Sequence, residues 1–386
     1  MKIVNRLASL LLTLICLLLV GELGARVGLY FKHDYNLAYL ISPLISFEGT
    51  AGAPVTYLFR SQGTYTVVDP CTHRTIEFFV NEDGGRGAWK VAKPHGTVRI
   101  IATGGSSTFG MNNPNWATWP AFLEQELRNR RNVPVEVLNA GSPSRRLEQI
   151  NDLLPQQAFK YNADMVIFYE TYSNAIVHWA DANHVDTITG RFHSDTRIGR
   201  LLAPLYYRWS MLYTCLFEKF SFMQAKGNPR VVPEIGYFRS QLQRFIRSLL
   251  EHHIVPVLVL QVTHVPVDLS IEKLNLEDSE AVQAEILKAA EVAAPADGEA
   301  VPTPLQPIRA YQAQVLVEVV RRAGKASGVQ VIDPRPAFAQ YKGREPLFCD
   351  VVHLTDAGNR LLAQSIAEAL VIGGREERPA SRTESR

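Results

Sequence analysis

Polar and apolar residues alternate along this chain in patterns that change with position. From Leu7 to Gly21 no charged residue occurs; counted back through Ile3 and Val4 across Asn5 and Arg6, the apolar stretch reaches about nineteen residues, close to the ~20 that cross hydrocarbon as a helix. From Val98 onward five short apolar or β-branched runs, each bounded by polar or turn residues, predict buried strands: 98–102, 135–138, 165–169, 257–260 and 329–332. Helical spacing marks Trp119 to Arg130, then Phe238, Leu242, Phe245, Ile246 and Leu249, then Val315 to Val320, and finally Leu362, Ile366 and Leu370. The last stretch, Gly373 to Arg386, has no apolar periodicity and is expected to be disordered.

Strands alternating with helices predict an α/β fold, a three-layer sandwich around a mostly parallel five-stranded sheet. In such a sheet, binding and chemistry gather at the carboxyl ends of the strands. The chain divides into 1–31, a membrane helix and its flank; 32–94, a β-rich neck with runs at Thr64 to Val68 and Thr75 to Val80; 95–372, the α/β domain; and 373–386, the tail. Two insertions interrupt the alternation. Residues 175–233 carry Tyr206, Tyr207, Trp209, Tyr213, Phe217, Phe220 and Phe222, expected to pack extra helices, with a lid or membrane-resting surface as the alternative. Residues 277–307, acidic and alanine-rich before a Pro-Thr-Pro segment, read as a helix within a mobile surface excursion.

Charge places the chain relative to a membrane. Lys2 and Arg6 precede the apolar run, so the N-terminus is expected in the cytoplasm and everything after Glu22 on the far side. No A-x-A-like site follows at Gly21 to Arg26, which favours an uncleaved anchor over a cleaved leader or a buried soluble helix. The net charge of +2, from 40 Lys plus Arg and 38 Asp plus Glu, provides no global field to recruit nucleic acid. Cys16, Cys71, Cys215 and Cys349 show no zinc spacing. On the exported side, Cys71, Cys215 and Cys349 allow one disulfide with one thiol left over, or none.

Two segments carry candidate chemistry. Gly104-Gly105-Ser106-Ser107-Thr108-Phe109-Gly110 follows the first strand. Glycines around a serine at a strand end allow a sharp turn that exposes the side chain and aims a backbone N–H at the same point. Near the C-terminus, Asp350-Val351-Val352-His353-Leu354-Thr355 precedes a helix capped by Thr355. That spacing sets a carboxylate beside an imidazole, fixing its tautomer, and His353 can then take a proton from a serine. Each alone has an ordinary reading: a turn or phosphate-binding loop for the first, a surface ion pair for the second.

Together, in the order Ser, Asp, His and at strand-to-helix junctions, these residues resemble the SGNH (GDSL) hydrolase family of esterases and lipases, in a membrane-anchored bacterial form. The resemblance spans about 98–372 and is clearest at Asp350-x-x-His353-Leu354-Thr355-x-x-Gly358. In the family's Gly-Asp-Ser block, Gly105 and Ser107 stand where an aspartate and an aliphatic residue are usual, while Ser106, Thr108 and Gly110 fit. The resemblance implies Ser106, Asp350 and His353 as catalytic residues, no metal or cofactor, and an oxyanion hole from the N–H groups of Ser106 and Gly141 with the side chain of Asn174. The third block departs from the family's Gly-x-Asn-Asp or Gly-x-Asn-Glu: Thr171-Tyr172-Ser173-Asn174 puts Ser173 on the asparagine if ungapped, and a one-residue shift recovers Asn174. Gln261 after the fourth strand and Arg145 after the Gly141 loop are candidate substrate contacts. The implied activity is an exported esterase on the periplasmic side of a bacterial inner membrane, acting on O-acyl groups of envelope or secreted polysaccharide. Alternatives are acyl transfer to a sugar hydroxyl, or a non-catalytic carbohydrate-binding or assembly protein.

Overall fold

The apolar runs become strands because both of their faces are covered. A computed structural model describes residues 2–32, 62–68, 74–130, 133–143, 145–175, 183–186, 191–194, 233–265, 273–292 and 305–370. Its elements in chain order are α1 (Lys2–Lys32), β1 (Gly63–Val68), β2 (Thr75–Val80), β3 (Val98–Gly104), α2 (Ser106–Phe109), α3 (Trp119–Arg130), β4 (Val135–Gly141), α4 (Leu147–Leu154), β5 (Met165–Tyr169), β6 (Asn183–Asp186), β7 (Arg191–Ser194), α5 (Ile235–Glu251), β8 (Val255–Val259), α6 (Ser279–Val292), α7 (Leu305–Ser327), β9 (Gln330–Ile332), α8 (Arg335–Ala339) and α9 (Asp356–Ala369). Five strands form one sheet in the order β4-β3-β5-β8-β9, every neighbouring pair parallel.

Side chains alternate across this sheet with the strand period of two. Ile101, Val166, Phe168 and Leu258 enter the core beneath α4, α5, α6 and α7. Ile100, Met165, Ile167, Val257 and Val259 enter the opposite core, beneath α3 and α9. Both faces are therefore dry, and the three-layer sandwich anticipated from the sequence is present. The chain enters the sheet at β3, adds β4 on one side, and then crosses to β5 on the other. That reversal leaves a crevice beyond the carboxyl end of β3.

Several expectations change. The 277–307 segment is not a mobile excursion where it is described: Val282 and Ile286 of α6 are fully buried, their four-residue spacing turning one face of an alanine-rich helix into the core. Helix α4 was not anticipated, although Leu147, Ile150 and Leu154 form its buried face. Trp119 is fully buried at the start of α3, whereas Trp116 is 63% exposed. The aromatic stretch 206–222 and the tail lie outside the described residues.

The N-terminal helix runs without a break through Lys2–Lys32. Among the described residues, no helix is long and apolar enough to cross a membrane. The uncharged run from Leu7 to Gly21 makes about 22 Å of helix at about 1.5 Å per residue, against about 30 Å of hydrocarbon.

The β1–β2 hairpin leads into a segment that locks onto the sheet through Arg86. Its guanidinium packs against the rings of both Phe78 and Phe109, which meet edge to face. It donates to the carbonyls of Phe109, Gly110 and Asn113 and to Asn115 Oδ1. Burial pulls Arg86 down to about 9. The hairpin thereby braces the loop that carries Ser106.

Because Ile286 is fully enclosed, Ile286→Ala should lower unfolding free energy by about 2–5 kcal/mol, read by urea denaturation. A surface excursion would leave the midpoint unchanged.

Candidate active site

Three strand ends converge at the crevice. Ser106 is the first residue of α2, directly after β3 and Gly105, so its N–H has no acceptor within its own helix. Gly141 ends β4, paired with Gly104 of β3. A Cβ on Gly141 would collide with the backbone of Thr108 and Phe109, so the α2 turn sits down on β4 only because this residue is glycine.

The second half of the site arrives from far along the chain and is pinned to the first by side chains. Ser107 Oγ donates to the Val352 carbonyl at 3.1 Å. Asn113 donates to Asp356 at 2.9 Å and accepts from Asn359 at 2.9 Å. Thr355 caps α9 by accepting the Gly358 N–H at 3.2 Å. Cys349, which is disulfide-bonded, donates its N–H to the His353 carbonyl at 2.8 Å, closing the loop on itself.

Within this frame Ser106, His353 and Asp350 come together. His353 Nε2 lies 2.7 Å from Ser106 Oγ, and Nδ1 lies 2.6 Å from Asp350 Oδ2. The other carboxylate oxygen of Asp350 accepts the N–H groups of Val352 at 2.9 Å and His353 at 2.8 Å. Burial alone would raise the Asp350 carboxyl, but its hydrogen bond to His353, the histidine's charge and the two backbone N–H groups hold it below its ordinary value. An ionised Asp350 accepts the Nδ1 proton, leaving Nε2 with the lone pair toward the serine. This arrangement can deprotonate Ser106 as it attacks a carbonyl.

The expected oxyanion donors are arranged less simply. The Gly141 N–H donates to Asn139 Oδ1 at 3.0 Å, so it is already engaged. Asn174 lies in a 3₁₀ turn after β5, and its Oδ1 accepts the Leu147 N–H at 3.0 Å, capping α4 from outside. It lines a cavity with Arg146, Glu148, Glu234, Tyr237 and Gln241. The neighbouring Ser173 is the residue beside the nucleophile loop: its Oγ lies 2.8 Å from where a Cβ on Gly105 would stand.

Gln261 and Arg145, expected as substrate contacts, are both buried. Gln261 Oε1 accepts from the Thr171 N–H, the Thr171 hydroxyl and the Tyr172 N–H at 2.7, 2.9 and 2.8 Å. Its Nε2 donates to Ser107 Oγ at 3.4 Å. It ties the turn after β5 to α2, a bracing role in place of substrate contact. Arg145 reaches Gln157 Oε1 at 3.5 Å, and burial pulls its guanidinium down to about 10.

Glu170 was missed. It is 1% exposed and follows β5 immediately, a carboxylate directly behind the apolar run Met165 to Tyr169. That juxtaposition was the available signal. Burial pushes Glu170 up to about 7, against the lowering effects of the Ser173 and Gly105 N–H groups, the Ser173 hydroxyl and the charge of His353. Among the described residues there is no cluster of three or more His, Cys, Asp or Glu able to hold a metal ion.

No family model and no curated protein matches the chain. Solved structures similar to it include a putative lipolytic protein of the G-D-S-L family from Desulfitobacterium hafniense DCB-2, at 13% identity over 71% of this chain and 99% of that one, with a TM-score of 0.39. The acetyl xylan esterase AlAXEase matches at 13% identity over 71% of this chain and 100% of that one, TM-score 0.40. A lipase/acylhydrolase from Enterococcus faecalis matches at 15% identity over 70% and 94%, TM-score 0.40. These likenesses are too distant to carry a functional argument, which rests on the geometry of Ser106, His353 and Asp350.

Proposed function

We propose that this chain is a serine esterase that acts on O-acyl esters through an acyl-enzyme on Ser106. The observation that carries the reading is the continuous relay from Ser106 Oγ through His353 to Asp350, with hydrogen bonds of 2.7 and 2.6 Å. Ser106 Oγ attacks the ester carbonyl while its proton passes to His353 Nε2. The same proton is then delivered to the departing alkoxide, which leaves as alcohol. In the second half, water attacks the acyl-serine, His353 takes the water's proton and returns it to Ser106 Oγ, and the carboxylic acid departs. Asp350 holds the imidazole orientation throughout and balances its charge. The Ser106 N–H faces the developing oxyanion; the Gly141 N–H joins it if Asn139 yields.

We place the domain on the periplasmic side of a bacterial inner membrane, held by α1, whose short uncharged run requires its flanking charges to sit at the bilayer surfaces, with acyl groups of envelope or secreted polysaccharide as substrate. Support for the anchor comes from Leu10, Leu12, Leu17, Leu18, Leu19, Val20 and Leu23, each more than half exposed, a surface that water disfavours. The Glu22–Arg26 ion pair at 2.8 Å lessens the cost of charge at the outer end, and Lys2 and Arg6 supply the cytoplasmic one. The disulfide at Cys349 fits an oxidising compartment. The same relay supports transfer to a sugar hydroxyl when that hydroxyl replaces water. The engaged Gly141 N–H favours, as the second reading, a non-catalytic carbohydrate-binding protein.

A serine-directed fluorophosphonate should label the full chain in detergent, and aryl acetates should release acetate, with Ser106→Ala abolishing both while remaining folded. Equal labelling of the two proteins, or none with either, overturns the esterase reading. For the donors, Asn174→Ala should leave kcat within about threefold because its Oδ1 serves α4. A loss of about 10²-fold would return Asn174 to the oxyanion hole through its unpartnered Nδ2.

A further inference from the structure

Glu170 takes no part in the relay, yet it lies against the loop that carries the nucleophile. Its Oε1 accepts the Ser173 N–H at 2.6 Å, and the nearby Gly105 N–H and Ser173 hydroxyl also favour its ionised form. It fills the space of a missing side chain, since a Cβ on Gly105 would overlap Glu170 Oε2. Conformation does not require glycine there: φ is −87°, open to any residue. Glycine is required by the neighbour. In the Gly-Asp-Ser pattern that Gly104-Gly105-Ser106 resembles, this same position is an aspartate. Here a carboxylate reaches the place from the adjacent strand, where Tyr169, the residue before Glu170, pairs with Gly104.

We propose that Glu170 is a positioning residue: from the end of β5 it supplies the carboxylate absent at position 105, and as an anion it holds Gly105 and Ser173 so that Ser106 is correctly aimed. The proposal rests on the reading of Ser106 as nucleophile. The anion is matched to its surroundings. The Ser173 N–H donates to it, and the charge of His353, the group that becomes a cation in the reaction, favours the ionised carboxylate. The remaining ionisable neighbours are Tyr169 and Tyr172, each pushed up by burial and by Glu170's own charge. Beyond them stand Asp350, which also acts on Tyr172, and Arg309 of α7, 4.5 Å over the Tyr172 ring. Protonating Glu170 removes an acceptor from Gly105 and Ser173 and loosens that hold. Activity should therefore fall on the acid side through Glu170 in addition to the general base, which must be unprotonated to act.

The experiment compares full-length wild type with Glu170→Ala, Glu170→Gln, Gly105→Asp and the Gly105→Asp/Glu170→Ala double variant, following aryl acetate hydrolysis across pH with folding checked by circular dichroism. Glu170→Ala and Glu170→Gln should lower kcat roughly 10- to 100-fold with KM within about twofold, the signature of lost aim. Gly105→Asp alone should be as impaired, because its side chain collides with Glu170. The double variant, which moves the carboxylate to position 105, should be at least about tenfold more active than either single variant. The acid limb of kcat/KM should be steeper than one proton in wild type and reduced to one proton in Glu170→Gln. An active wild type whose Glu170 variants keep its kcat and acid limb overturns the proposal alone, as does a double variant no better than the singles. Where a variant does not fold, a one-proton acid limb in wild type overturns it equally. A wild type that neither hydrolyses nor labels removes the nucleophile reading beneath it.

Discussion

The site depends on one constraint: two segments far apart in the chain must be held face to face at the end of β3. Ser107 to Val352, and Asn113 to Asp356 and Asn359, are the hydrogen bonds that do this. All are made by side chains at or next to the nucleophile helix, so the structure that presents Ser106 also fixes the loop that presents His353. Gln261 and Arg86 extend the same hold, the first to the turn after β5 and the second to the β1–β2 hairpin. The sheet supplies the floor, and its strand order supplies the crevice.

Polar groups buried at strand ends need partners, and here that requirement shapes the chemistry. Asn139 occupies the Gly141 N–H while its amide donates to the Thr108 carbonyl. Glu170 occupies the Ser173 N–H and lies against Gly105. The result is a nucleophile loop heavily tied from beneath, with Ser106 itself joined to His353. A loop held this firmly keeps its geometry through a reaction, since little reorganisation is needed when charge develops.

Much of this was legible in the sequence. The five strands could be read because short β-branched runs in an α/β chain signal strands buried on both faces, and Ser106, Asp350 and His353 could be read because their residue types and order imply chemistry at strand-to-helix junctions. What could not be read depends on where side chains point. Ser173 and Asn174 are adjacent, and only the 3₁₀ turn that contains them decides that one faces Gly105 while the other caps α4. Helix α6 was misjudged because alanine and glutamate dominate its composition, although Val282 and Ile286 alone suffice to bury one face. Glu170 was overlooked because a single acidic residue after a strand is ordinary until the space beside Gly105 is known.

Ser106, activated by His353, carries the acyl group in the proposed reaction. The direct measurement is the mass of the protein quenched in acid during turnover of an aryl acetate, followed by peptide mapping. One added acetyl group is expected on the peptide that contains Ser106, absent in Ser106→Ala. Turnover with an acetyl group on any other residue, or with none while His353→Ala hydrolyses at the wild-type rate, would contradict it.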